Sequence, residues 1–263
     1  MAQFFQQDFE FAETFTASPS QQAFAKHMHN GYELYYFLQG NADYIIGDSV
    51  YALQDNALLL IRPSVFHYLK LRTSDPYHRI VLHFTQKHVP ETLHADLNRL
   101  PAHYRIPPSH TIHRLFTDAV SIAERYDRQD AYEGLLDCLA LIVRELKYGN
   151  ELHDNEQTLL HPLLSKMLRF IDGNLQVPLN VAVLAETFYI SRSWISHAFQ
   201  NYLGTSVQQY IIRKKMLSAQ QYIESGVPPM ETAALLGFTN YSTFFKQYKK
   251  QLGMKPIEAK RNA

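Results

Sequence analysis

Two stretches of the chain, Ala185 to Gly204 and Ala233 to Gly253, repeat each other element by element, offset by 48 residues between the alanines and 49 between Leu203 and Leu252. A segment duplicated with one inserted residue has to fold twice into the same small unit, which restricts this part of the chain to a helical repeat. In the first copy Leu179, Val183 and Leu184 make an apolar helix face and Ala185 permits close helix approach. Phe188, Tyr189 and Ile190 then form a turn, and the Ser191 hydroxyl caps the next helix by accepting a free backbone N–H. In the second copy Pro229 stands where a helix can start without losing a hydrogen bond, Ala233 repeats Ala185, Gly237-Phe238 makes the turn, and Thr239 or Asn240 is the cap. Both second helices stop at Leu-Gly, at Gly204 and Gly253, where glycine accepts left-handed geometry. Each copy reads as a helix-turn-helix, over about 179–203 and 229–252.

Charge gives the repeat a partner. Residues 1–160 hold 13 Lys and Arg against 20 Asp and Glu, whereas residues 161–263 hold 12 against 5, so a formally neutral protein is polarised from end to end. A basic domain beside an acidic one is the footprint of phosphate neutralisation and counterion release on double-stranded DNA. On the first recognition helix Ile195 and Phe199 face the core, leaving Arg192, Ser193, Ser196, His197 and Gln200 outward. On the second, Phe244 and Tyr248 are the core pair, and Tyr241, Ser242, Thr243, Phe245, Lys246 and Lys250 lie away from it. Short polar side chains near a helix N-terminus suit base edges, while Arg192, Lys246, Lys249 and Lys250 suit phosphate or guanine. For any one of these side chains the plain alternative is a solvated helix face.

The C-terminal residues resemble the AraC/XylS family of transcriptional regulators. The signature is carried by Ile171, Leu179, Leu184-Ala185, Ile190-Ser191, Phe199, Gly204, Tyr210, Ala219, Gly237-Phe238, Ser242, Phe244, Gly253 and Pro256, over about 165–261. The resemblance implies two helix-turn-helices joined by a long helix, here Val207 to Glu224, with recognition helices entering successive major-groove segments roughly 34 Å apart. Three positions depart from the family pattern: Lys215 replaces an arginine, Thr232 an isoleucine, and Lys260-Arg261 a Tyr-Arg pair. Lysine keeps the charge but loses the planar fork.

From Lys26 to Phe84 the pattern changes to period two, with strands expected at Glu33–Leu38, Ala42–Ile46, Val50–Leu53, Ala57–Ile61 and Ile80–Phe84. Gly40, Gly47-Asp48, Asp55-Asn56 and Pro63 punctuate them as turns. Short strands with regular turns predict a small antiparallel β-barrel. His27, His29, Glu33 and Gly40 have the spacing of the first cupin motif, and Pro63 with His67 resembles the second, so this half is similar to a cupin sensor domain. The resemblance implies that His27 and His29, sharing one strand face, converge with Glu33 and with His67 from a neighbouring strand, either as nitrogen and oxygen ligands for a divalent transition metal or as polar lining of an effector pocket. By strand alternation Tyr35 and Phe37 share the Glu33 face, which suits a small polar effector such as a sugar; plain aromatic core is the alternative. Arg79 and His83 share a face on the last strand and are candidates to line the same effector cavity, although alternation alone does not say which face is inward.

Between the halves Ile112, Leu115, Phe116, Ala119, Ile122, Ala123 and Tyr126 form one helical stripe, and Leu135, Leu136, Leu139, Ile142, Val143 and Leu146 another. A polar connection at Asp127–Asp130 makes them an antiparallel pair, which must cover its apolar faces with the barrel or a second subunit; the family resemblance implies a homodimer through residues 109–147. Tyr148 to Thr158 reads as a linker, giving domains at 1–147 and 161–263 around a connection at 148–160. The fold class is therefore α+β.

The single Cys138 makes no internal disulfide, and the first ten residues lack a signal peptide's basic start and apolar core, which points to the cytoplasm. No apolar run approaches a membrane span. The reading is a ligand-responsive transcription regulator, not an enzyme, with RNA polymerase as a further partner if it activates. A metal-dependent cupin enzyme explains the histidines but gives the basic repeat no purpose; a metal-sensing regulator changes only the effector.

Overall fold

The computed structural model describes residues 1–259, which divide after Thr158 into two compact units. The first unit contains β1 (Gln3–Gln6), β2 (Phe9–Thr16), β3 (Tyr32–Gln39), β4 (Ala42–Ile46), β5 (Ser49–Ala52), β6 (Ala57–Ile61), β7 (His67–Leu71) and β8 (Tyr77–Phe84). There follow α1 (His94–Leu97), β9 (His103–Arg105), α2 (Thr111–Arg125) and α3 (Arg128–Tyr148). A two-residue strand, β10 (Thr158–Leu159), straddles the division.

The strands pair antiparallel in two sheets. One has the order β1-β2-β8-β3-β6-β9, and β5, β4 and β7 are successive neighbours in the other. The larger sheet is a central layer. Leu34, Tyr36, Leu58, Leu60, Ile80 and Leu82 on one face join the core made with Ile112, Phe116, Leu135, Leu139, Ile142 and Val143 of α2 and α3. On the other face Tyr35, Phe37, Leu59, Ile61, Tyr77 and Val81 meet Ala42, Tyr44, Ile46, Tyr51 and Leu69 of the second sheet. Burial on both faces is why β6 is an unbroken apolar run, Ala57 to Ile61, and each fully buried Leu or Phe contributes about 1.5–3 kcal/mol of transfer free energy. The helix pair thus covers its apolar stripes with the sheet of its own chain.

Several expected boundaries move. The segment carrying His27 and His29 is not a strand: only His27 forms an isolated bridge, to His67, and β3 begins at Tyr32. β5 starts one residue early, at Ser49, and β8 three residues early, at Tyr77. The strand expected at His67 is β7, whereas β1, β2 and β9 were not anticipated. The connection between α2 and α3 is tighter than Asp127–Asp130, because Asp127 caps α3 by accepting from the N–H groups of Gln129 and Asp130, so Arg128–Asp130 form its first turn. In the stretch read as a linker, Leu152 is buried in the first unit's core and His153 bridges Tyr104.

The second unit contains α4 (Pro162–Asp172), α5 (Val181–Phe188), α6 (Arg192–Ala198), α7 (Val207–Glu224), α8 (Pro229–Leu235), α9 (Tyr241–Leu252) and α10 (Pro256–Ala259). The joining helix α7 has the bounds expected of it. A π-helical turn, Phe199–Leu203, carries α6 to Gly204, and Gly204 and Gly253 both take left-handed geometry, φ 67° and 74°. Ser191 caps α6 by accepting from Trp194 N–H at 3.1 Å; of the two candidates for α9, Asn240 is the cap, accepting from Ser242 and Thr243. At Gly237, φ is 72° and an added Cβ would lie 2.4 Å from the Gln176 carbonyl oxygen, so glycine is required twice over.

Two departures from the family pattern acquire physical meaning here. The Lys215 ammonium donates to the carbonyls of Leu236 at 2.8 Å and Val177 at 3.2 Å, tying α7 to the end of α8 and to the loop before α5. Thr232 is fully buried and its hydroxyl has no partner. The third, Lys260-Arg261, lies outside the described residues.

Candidate functional sites: a helical face and an inner polar cluster

On α6 and α9 the core pairs are Ile195 with Phe199 and Phe244 with Tyr248, all fully buried. Arg192, Ser193, Ser196, His197 and Gln200 are exposed, as are Tyr241, Ser242, Thr243, Lys246 and Lys250. Helical periodicity produces most of this division, since burying i and i+4 turns i+1 and i+2 away from the core; Arg192 and Tyr241, at i−3 on the core side, are exposed as the first residues of their helices. Ser196 Oγ donates to the Arg192 carbonyl of its own helix, so its hydroxyl is already engaged in the free protein. Lys246, Lys249 and Lys250 stand on one short helix together and give it a strongly basic surface.

In the β-domain the register decides what alternation alone left open. Glu33 and Phe37 on β3 lie directly opposite His83 and Arg79 on β8, and Glu10 and Thr14 on β2 lie opposite the same two residues. Tyr35 and Phe37 belong to the core between the sheets, so Arg79 and His83 point there as well. His29 Nε2 approaches Glu33 Oε2 at 3.0 Å, His67 Nε2 at 3.2 Å and His83 Nε2 at 3.0 Å, while His83 Nδ1 pairs with Glu10 at 3.3 Å. His27, His29, Glu33 and His67 each present one donor atom, all within 4.8 Å of one another.

The imidazoles of His27, His29 and His67 share a second feature. Each Nδ1 bonds a backbone carbonyl, of Ala25, Gly31 and Val65 respectively, which puts the proton on Nδ1 of a neutral ring and the lone pair on Nε2. A lone pair facing a carboxylate oxygen at 3 Å repels it unless a proton or a cation lies between them. His67 is fully buried and, with its proton on Nδ1, its Nε2 faces Glu33 Oε2 at 3.2 Å without a hydrogen bond of good geometry, so this nitrogen and oxygen set fits a divalent transition metal. Burial raises the Glu33 carboxyl, but His29, His67 and His83 outweigh it and hold Glu33 well below the usual carboxylate range. Burial likewise opposes charge on His83, and its bond to Glu10 and the adjoining Glu33 outweigh that and lift it to about 9.

A second part of the cluster lies further along the same face. The Tyr35 and Tyr77 hydroxyls hydrogen-bond each other, Arg79 Nη1 donates to Tyr77 Oη at 3.2 Å, and Phe37 packs 5.8 Å from the Tyr77 ring. Tyr44 links the two parts, its ring 4.6 Å from Tyr35 and its hydroxyl 3.5 Å from Glu33 Oε1. Glu10, Tyr44 and Tyr77 escaped the sequence reading. Extending the period-two pattern back from Arg79 reaches Tyr77, whereas nothing local in the sequence pairs Glu10 with a residue 73 positions away.

Residues 12–155 match the family model described as an AraC-like ligand binding domain, and residues 184–262 match one described as a helix-turn-helix domain. The first model alone spans more than half of the chain. The protein belongs to the AraC family of transcriptional regulators. The inner-cluster residues from His27 to His83 fall within the ligand-binding match, Glu10 lies just before it, and both exposed helical faces fall within the helix-turn-helix match. Among relatives of this AraC-family chain, the uncharacterized HTH-type regulator YfiF of Bacillus subtilis is 23% identical over 245 residues, 88% of this chain and 76% of that one. LumQ of Photobacterium leiognathi, a probable transcriptional regulator, is 30% identical over 88 residues, so the chain spans about a third of its length. Among solved structures, ToxT of Vibrio cholerae aligns over 97% of this chain and 99% of its own at 12% identity, with a TM-score of 0.40. No helix among the described residues is long and apolar enough to cross a membrane.

Proposed function

We propose that this AraC-family regulator reads double-stranded DNA through two helix-turn-helix motifs, α5–α6 and α8–α9, and senses a small polar effector, a sugar in the expectation from sequence, between its two sheets. The observation that carries the reading is the duplicated division of α6 and α9 into a buried apolar pair and an exposed polar and basic face, within the basic unit of a polarised chain. Arg192, Ser193, Ser196, His197 and Gln200 serve one groove segment, and Tyr241, Ser242, Thr243, Lys246 and Lys250 the next. His27, His29, Glu33, Tyr35, Phe37, His67 and Arg79 serve the effector. The protein works in the cytoplasm without enzymatic activity, as a homodimer through the outer surfaces of α2 and α3, where Leu141 is 45% exposed. As an activator it would also engage RNA polymerase.

A gel shift on DNA upstream of neighbouring genes at two salt concentrations tests the reading. Retarded, sequence-dependent bands that weaken with salt support it; no sequence preference at either concentration refutes it. The convergent Nε2 atoms favour a second reading of the sensor, a divalent transition metal on His27, His29, Glu33 and His67. Elemental analysis of protein from metal-replete cells decides between them: about one metal per chain supports the metal sensor, and a trace refutes it.

A further inference from the structure

Arg79 is a cation without an acid. Among the described residues no carboxylate forms an ion pair with its guanidinium, although its charge is felt at Glu10; it reaches the neutral hydroxyls of Tyr77 and Tyr35, and Nε is buried without a partner. Its central carbon instead lies 5.5 Å from the Tyr35 ring, 5.7 Å from Tyr77 and 5.8 Å from Phe24. Glu33 on the same face does not neutralise it: Arg79 is opposite Phe37, four residues along β3, which is roughly 13 Å of extended chain. The Glu33 carboxylate is moreover enclosed by three imidazoles. Arg79 as a whole is half-buried, but ring faces recover only part of the hydration lost on its buried Nε edge, which an anion would restore.

We propose that Arg79, with the Tyr35 and Tyr77 hydroxyls, is the subsite for the carboxylate of a small organic acid, whose body packs against the half-buried ring of Phe24. This deepens the effector reading above and rests on it. A planar fork with an open Nε edge matches a carboxylate in two parallel hydrogen bonds, and one proton of the bonded Tyr35–Tyr77 pair is left to donate to the same oxygens. One guanidinium balances one negative charge. A phosphate dianion would carry surplus charge onto a face that already holds Glu10 and Glu33, so the geometry selects a monocarboxylate. A sugar acid meets this requirement and a neutral sugar does not.

The test is thermal unfolding of the full chain at fixed ionic strength with benzoate, phenylacetate and gluconate, each beside its uncharged counterpart, benzamide, phenylacetamide and glucose. At least one carboxylate raises the melting temperature of the wild type while its counterpart does not. In Arg79→Gln the apparent affinity for that carboxylate falls roughly tenfold to a hundredfold. Melting without ligand reports whether that variant folds. Arg79→Lys, which keeps the charge and loses the fork, is the second variant, and it too binds the carboxylate more weakly. If the carboxylate shift persists undiminished in both variants, or if charged and uncharged probes act alike, the subsite assignment is wrong while the effector reading stands. If none of the six shifts the wild type but other neutral sugars do, the carboxylate assignment alone falls. If no small molecule of either class shifts it, both readings fall.

Discussion

Thr232 and Lys215 sit in the same domain and bury polar atoms with opposite results. The Thr232 hydroxyl is unpaired in an apolar site, so Thr232→Val, which keeps the shape and removes the oxygen, stabilises the protein by about 1 kcal/mol. Urea unfolding shows this as a midpoint above that of the wild type with an unchanged slope. The buried Lys215 ammonium, by contrast, satisfies two carbonyls from different segments. Lys215→Met leaves both without that donor and lowers stability by about 1–3 kcal/mol in the same assay. Read from sequence alone the two substitutions looked alike, each a family residue replaced by a more polar or less specific one. The sign of each effect depends on whether a partner lies across the fold, which local pattern does not encode.

At the scale of elements, the turn between α8 and α9 holds the closest backbone approach to a glycine among the described residues. Gly237→Ala adds a Cβ at a φ of 72° and 2.4 Å from the Gln176 oxygen, so the backbone must move. A loss of at least about 2 kcal/mol follows, combining backbone strain with the clash, and the far-UV circular dichroism melt of the variant falls well below that of the wild type. Asn240→Ala removes an isolated cap and costs only about 1 kcal/mol. These helix ends were readable in the sequence because capping and left-handed glycine are local chemistry. β3, β4 and β6 were readable for a similar reason, as apolar runs between turn residues. β1 and β2 were not: their alternation is broken by exposed Phe5 and Phe15, and their order comes from pairing β2 with β8, some seventy residues away. His27 and His29 were found by spacing but assigned a strand they do not form. Their convergence with Glu33 was legible, whereas His83's approach and the Tyr35–Tyr77–Arg79 group depend on a register that only the assembled sheet supplies.

Across the whole molecule, charge and chemistry are divided between the units. The acidic N-terminal unit holds the polar cluster that the AraC-like ligand-binding match covers, and the basic C-terminal unit holds the duplicated helical faces. Lys246→Ala removes one cation from the second recognition face, and DNA affinity falls with the slope of log affinity against log salt reduced by about one. His27→Ala leaves DNA affinity intact and dulls the response to effector. The most direct test of the account is fluorescence anisotropy on a duplex enriched by selection from a random pool, compared with a scrambled duplex of equal length and composition. At physiological salt the wild type binds the enriched duplex about a thousandfold or more tightly than the scrambled one, and Lys246→Ala binds it more weakly. Equal affinity for the two duplexes, or a Lys246→Ala variant indistinguishable from the wild type while His27→Ala loses binding, would contradict it.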